Sequence, residues 1–157
     1  MTGFGRILED LNLAEVGYVL IGGIALIRHG VVRATRDIDA VFDPAPENVQ
    51  RIRSLVSRWG ATRPDGSAVP LESITGERSI HLATDLGELD LVSEAAAGIP
   101  FSDLRARAET KKVDGVEAPI CSLADLVAMK RAVGRERDLA DLADLQTAHG
   151  ELPETGK

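Results

Sequence analysis

The chain has 157 residues, 44% apolar and 27% charged, with 18 basic against 25 acidic side chains for a formal charge of −7. That length can bury a core as one domain without disulfides or a structural metal, and the composition is that of a globular protein, which excludes a disordered chain. The acidic balance excludes a protein that coats nucleic acid by charge alone and argues against extended DNA binding, although a local basic patch stays open.

Cys121 is the single cysteine. It has no partner for an internal bridge, and within Ala118-Pro119-Ile120-Cys121 it reads as a small buried hydrophobe suited to a reducing compartment. No apolar run reaches the ~20 residues needed to cross a bilayer. Glu9 and Asp10 interrupt any secretory pattern near Met1. A soluble, cytoplasmic protein with no membrane partner is expected.

In chain order, Phe4, Ile7, Leu8, Leu11 and Leu13 recur near helical spacing and predict a helix over about 4–15. Tyr18-Val19-Leu20-Ile21 predicts a strand stopped by Gly22-Gly23, and a short helix follows from Ile24 to His29. His29, before Gly30, reads as a helix-end residue rather than a base. Asp37-Ile38-Asp39-Ala40-Val41-Phe42 alternates acid with apolar, the pattern of a strand with one buried and one functional face. After Pro44 and Pro46, residues 47–59 predict an amphipathic helix with Val49, Ile52, Leu55, Val56 and Trp59 inward.

Residues 60–76 read as a loop. Strands are expected over 79–84 and 88–93 around a turn at Asp85-Leu86-Gly87, then a short helix near 101–108. A hairpin about Asp114-Gly115 should follow. Ser122 and Asp125 predict a capped helix start, Gly134 an interruption, and 138–148 a last helix with Leu139, Leu142 and Leu145 inward. The expected organisation is one α/β domain over 1–150, with its core at about 16–120 and a C-terminal helical pair at about 122–148. A polar, flexible tail at 151–157, with His149 inert near the frayed end, should complete it.

Asp37 and Asp39 are two apart, so on a strand both carboxylates project from one face. Like charges held together repel, and a divalent cation bound through oxygen is their natural partner. A solvent-facing strand produces the same spacing, so the pair alone does not decide. Gly22-Gly23, closing a strand and opening a helix, lets backbone N–H groups approach a phosphate, or simply serves the turn. It is not a P-loop, since no Gly-Lys-Ser/Thr follows. Asp90, within Leu89-Asp90-Leu91-Val92, is a third acid that is costly to bury alone. Beside the Asp37 strand it would converge on the same ion; otherwise it faces solvent. His81 is a further candidate for substrate contact. Arg33 and Arg36 flank the acidic strand and read as balancing its carboxylates. Lys130, Arg131, Arg135 and Arg137 read either as a phosphate-facing group or as a solvated helix face laced with Asp138 and Asp141.

Gly22-Gly23, then Arg33-Ala34-Thr35-Arg36-Asp37-Ile38-Asp39, then Leu89-Asp90-Leu91, resembles the nucleotidyltransferase superfamily of the DNA-polymerase-β type. The segment from Lys130 through Arg135, Asp138 and Asp141 is similar to the C-terminal motif of a small prokaryotic branch that includes abortive-infection and toxin–antitoxin nucleotidyltransferases. The resemblance implies a nucleotidyltransferase-like mixed β-sheet flanked by helices. It implies Mg2+ or Mn2+ on Asp37, Asp39 and Asp90, with Asp90 completing the metal site or acting as base. Gly22, Gly23 and Lys130 would bind NTP phosphates, and Arg33, Thr35, Asp138 and Asp141 would support the site. The implied reaction moves an NMP from NTP (ATP among them) to a hydroxyl on RNA, protein or a small molecule. The alternative is a catalytically weak or inactive module acting as antitoxin or regulatory partner, with a cognate toxin or antitoxin chain as its partner in either case. Where this branch often carries serine at the second glycine position, the chain has Gly23.

Overall fold

The computed structural model describes residues 3–154. Among the described residues, six α-helices flank a six-stranded mixed sheet. In chain order these are α1 (Gly3–Leu13), β1 (Tyr18–Ile21), α2 (Gly22–Arg28), β2 (Asp37–Phe42), α3 (Pro46–Trp59), β3 (Ile80–Thr84) and β4 (Gly87–Val92). They are followed by α4 (Phe101–Arg107), β5 (Glu109–Val113), β6 (Val116–Ile120), α5 (Leu123–Val133) and α6 (Glu136–His149). Single 3-10 turns occur at Leu71–Ser73 and Ala96–Gly98.

The strands lie in the order β3-β4-β2-β1-β6-β5. β1 runs antiparallel to β2 and parallel to β6; β2 runs parallel to β4, and β3–β4 and β5–β6 are hairpin pairs. The two hairpins thus sit at opposite edges, and the central strands carry the apolar residues. Val19, Leu20, Ile38, Ala40, Leu89 and Ile120 are all fully buried. The alternation in β2 is explained by this placement: Ile38, Ala40 and Phe42 enter the core, while Asp37 and Asp39 stay half-buried on the other side.

The sequence places the strands within a residue or two, and the differences lie on helix faces. Leu13 is exposed, because α1 already buries Ile7, Leu8 and Leu11. Trp59 is half-buried rather than fully inside, and its Nε1 donates to Asp10 Oδ2 at 2.8 Å. The larger correction is on α6. Leu139 is 58% exposed, whereas Asp138, Asp141 and Leu145 form the inward face. Those two acids can be buried because cations meet them there.

Ser122 Oγ accepts from the Asp125 amide at 3.1 Å, capping α5 as its spacing suggests. The Asp125 carboxylate does not close a reciprocal capping box, being held by the Arg107 fork at 3.0 Å on both oxygens. His29 ends α2, is buried, and donates from Nε2 to the Cys121 carbonyl at 2.8 Å. His149 is not inert: its Nε2 donates to the His29 carbonyl and ties the end of α6 to the end of α2. Of the expected tail, 151–154 is described and 155–157 lies outside the described residues. Leu152 packs on the core and Arg131 Nη1 donates to the Pro153 carbonyl at 3.2 Å, so the start of this tail is held against α5.

Candidate active site

Two residues apart on β2, Asp37 and Asp39 leave the strand on one face. The parallel neighbour β4 places Asp90 opposite Asp39. Residues paired in register share a face of the sheet, so the third carboxylate joins the first two. One strand further out, the antiparallel β3 puts His81 opposite Asp90. A row of Asp39, Asp90 and His81 therefore crosses three adjacent strands.

This row floors a cavity of about 720 Å³, whose walls include Gly22, Gly23, Thr35 and Lys130. Gly22 has φ +64, a left-handed conformation that side chains resist, and a Cβ there would collide with Asp39 Oδ2. A Cβ on Gly23 would lie 2.7 Å from Thr35 Oγ1. The glycine pair thus does more than end a strand: it makes the room in which Asp39 and Thr35 sit. Thr35 Oγ1 in turn donates to the Asp37 carbonyl at 3.1 Å, fixing the entry to β2.

The acids are held against their electrostatic preference. Burial raises the Asp39 carboxyl to about 6, and the neighbouring charges of Asp37 and Asp90 push in the same direction. Burial also raises Asp90, with Asp37 adding to the shift and His81 opposing it. Among the described residues, no three His, Cys, Asp or Glu side chains form a ready-made cage for a metal ion.

On the opposite wall the charges are matched. Lys130 Nζ lies 2.9 Å from Asp141 Oδ2 and 3.4 Å from Asp138 Oδ1. Arg135 Nε donates to Asp138 Oδ2 at 2.7 Å, and this bond, before any other cause, lowers the Asp138 carboxyl to about 2. Arg33 Nη1 meets Asp141 Oδ1 at 2.9 Å. Arg33 therefore does not balance the β2 carboxylates, as its place in the sequence suggests; it joins the loop before β2 to α6. Asp138 and Asp141, three apart on one helix face, form the centre of a network that holds Lys130.

All the acids and glycines singled out by sequence line one cavity, together with Lys130, Arg33 and Thr35. Arg36 is exposed. Of the two readings of Arg135, the structure matches the exposed side chain laced to Asp138, three positions on and within one helical turn. Two features of His81 became visible only in the fold. Its Nε2 is buried without a hydrogen-bond partner, the nearest carboxylate oxygen, Glu88 Oε2, being 3.9 Å away.

The model of a family described as "Nucleotidyltransferase of unknown function (DUF6036)" matches residues 6–149. No curated relative matches the sequence. Among solved structures, the lincosamide antibiotic adenylyltransferase LnuA, lincomycin-bound, superposes with TM-score 0.64 at 17% identity, over 93% of this chain and 96% of that one. A putative nucleotidyltransferase from Thermotoga maritima gives TM-score 0.59 at 18% identity, covering 90% and 89%. ANT(2")-Ia, in complex with adenylyl-2"-tobramycin, gives 0.60 at 13%, covering 94% and 87%. At such identities the likeness is one of fold.

Proposed function

The chain belongs to the nucleotidyltransferase family whose model spans residues 6–149, and from that membership we propose that it moves a nucleoside monophosphate from an NTP to a hydroxyl acceptor. The observation that carries this reading is the convergence of Asp37, Asp39 and Asp90 in one cavity with Gly22, Gly23 and Lys130.

The donor set fits a divalent cation, Mg2+ or Mn2+. Three carboxylates with raised Asp39 and Asp90 are the arrangement whose repulsion a hard cation relieves. In magnesium chemistry one or two carboxylates share the ion with substrate phosphates and water. Asp37 and Asp39 would hold it, with Asp90 as the third ligand or as base. When bound, such an ion neutralises charge on the transferring phosphoryl group and its leaving group.

The chain's own residues supply position. Gly22 and Gly23 open α2, where the first amides lack an intrahelical acceptor and would be offered to phosphate oxygens. Lys130 meets the triphosphate as a point charge, exchanging one carboxylate of its pair for phosphate. The acceptor oxygen bonds to the α-phosphorus as the α–β bridging P–O bond breaks. Pyrophosphate departs with that electron pair, and the hydroxyl proton goes to Asp90 where it acts as base, or to water where it is the third ligand.

The motif resemblance supports a toxin–antitoxin or phage-defence setting with a cognate partner chain. Burial pushes the Cys121 thiol up to about 12, which makes it a packing residue rather than a nucleophile. Among the described residues, no helix is long and apolar enough to cross a membrane. One observation favours the second reading, an inactive module that serves as antitoxin or regulatory partner: Lys130 is already neutralised by Asp138 and Asp141.

The test is incubation of the protein with each α-labelled NTP, MgCl2, and total RNA, cell protein or small-molecule extract. Label should enter one pool and fail to do so with the Asp37→Ala/Asp39→Ala double variant. A folded wild-type protein that labels no pool from any NTP contradicts the enzyme and leaves the binding module.

A further inference from the structure

We propose that the cleft outside β3, where Arg63 and Arg78 stand, is the acceptor subsite, and that it takes a hydroxyl compound bearing a phosphate. This inference rests on the transfer reading above. It begins with direction. In phosphoryl transfer the attacking and leaving oxygens lie roughly in line on opposite sides of phosphorus. The glycine turn and Lys130 border the cavity on its β1 and α5 side, where the triphosphate goes. The acceptor hydroxyl must then arrive from the Asp90 and His81 side.

On that side lies a second cavity, of about 530 Å³, and His81 lines both. β3 is the outermost strand of the sheet, and among the described residues the chain outside it pairs with it at Ala83 alone, through Thr62. His81, the residue common to both linings, carries a buried Nε2 without a hydrogen-bond partner, which can bond a hydroxyl brought beside it.

The outer cavity's chemistry selects the ligand. Arg63 and Arg78 supply two guanidinium groups, while the Ser73 hydroxyl donates to the Pro70 carbonyl at 2.6 Å and the Ser79 hydroxyl bonds Ser93 at 3.3 Å. Its one carboxylate, Asp65, already accepts from the Ser67 amide at 2.8 Å. Arg63 feels that carboxylate's charge, while Arg78 makes no side-chain ion pair or hydrogen bond among the described residues. A guanidinium fork without a partner matches a phosphate in shape and charge. Apart from His81, no aromatic side chain lines this cavity, so flat ring stacking is not what it offers. In a chain of net charge −7, a cleft with two arginines and one engaged acid departs from the general surface.

The frame behind these arginines is fixed. Thr62 and Ala83 exchange backbone bonds at 3.0 and 2.8 Å, pinning the Arg63 turn to β3. Arg53 forks onto the Ile74 carbonyl at 2.9 and 2.7 Å, holding the segment that leads to Arg78.

Binding of two probes to the full chain tests the proposal: a short fluorescent oligoadenylate with a free 3′-hydroxyl, and ribose 5-phosphate. Adenosine and ribose serve as their phosphate-free counterparts, and Mg-ATP binding is measured in parallel. At least one phosphorylated probe should bind better than its counterpart. The Arg63→Ala/Arg78→Ala variant should weaken that binding by about tenfold or more, and the Arg63→Lys/Arg78→Lys variant should recover part of it. ATP affinity should not change. Preference for the oligonucleotide identifies a polymer end, and preference for the sugar phosphate identifies a free metabolite. Equal binding of phosphorylated and phosphate-free probes, or no response to the double substitution, overturns the subsite and leaves the transfer reading intact. A variant that loses ATP instead shows that the cleft holds the triphosphate, which also overturns it. Wild-type protein that binds no NTP sinks the transfer reading and this inference together.

Discussion

The two walls of the main cavity are built from the same kinds of charge in opposite condition. On β2 and β4, Asp37, Asp39 and Asp90 crowd together, and Asp39 is pushed up to about 6. On α5 and α6, Asp138 and Asp141 are more deeply buried, yet Asp138 is held down at about 2, because Arg135, Lys130 and Arg33 meet the pair within hydrogen-bond reach. Burial raises the unmatched acids, and at Asp138 the hydrogen bond from Arg135 outweighs it. The matched wall is what a structural clasp between helices requires. The unmatched wall costs stability, and such a cost persists where function supplies the missing charge.

The sharpest way to break this comparison is to neutralise one acid on each wall and look for opposite signs. Asp39→Asn should reduce transfer activity by roughly a hundred- to a thousandfold while raising Tm in metal-free buffer. The pH dependence follows from the raised carboxyl. The folded state holds the Asp39 proton more tightly than the unfolded chain, so the penalty is absent below about 4 and complete above about 6. The Tm advantage of Asp39→Asn over wild type should therefore grow as pH rises through that window. Taking the difference cancels His29, whose lowered pKa acts equally in both proteins. Added Mg2+ should close the gap.

On the other wall, Asp138→Ala should destabilise by about 1–3 kcal/mol in chemical denaturation, since it removes the carboxylate that caps α6 and holds Arg135, and leaves Lys130 with Asp141 alone. Its stabilising effect in wild type is present above the ordinary carboxylate range and disappears as pH falls towards about 2. The smallest effect belongs to the rim. Arg33 is 41% exposed, and Arg33→Ala should cost under about 1 kcal/mol.

The same contrast explains what could be read before folding. The β2 alternation was legible because a strand's period is two, and Asp37 and Asp39 declare their shared face without any partner. The glycine pair was legible as a turn, but its second task, making room for Asp39 and Thr35, depends on atoms that only the fold brings together. Asp90 was visible as an acid among apolar residues; its register opposite Asp39 comes from a parallel pairing between distant strands, which local spacing does not encode. α6 was misread for a related reason. Apolar spacing chose Leu139, whereas the true inward face carries Asp138 and Asp141, made acceptable by cations from α5, from the loop before β2 and from Arg135 just ahead of the helix. A carboxylate that is paired in space looks solvent-exposed in sequence.

The central claim is that the β2–β4 acids form one cation site beside the glycine turn. Mn2+ binding followed by electron paramagnetic resonance, with and without ATP, addresses it most directly. Wild-type protein should bind Mn2+ more tightly in the presence of ATP, and both Asp37→Asn and Asp90→Asn should weaken that binding. Mn2+ affinity that is unaltered by either substitution would contradict the account.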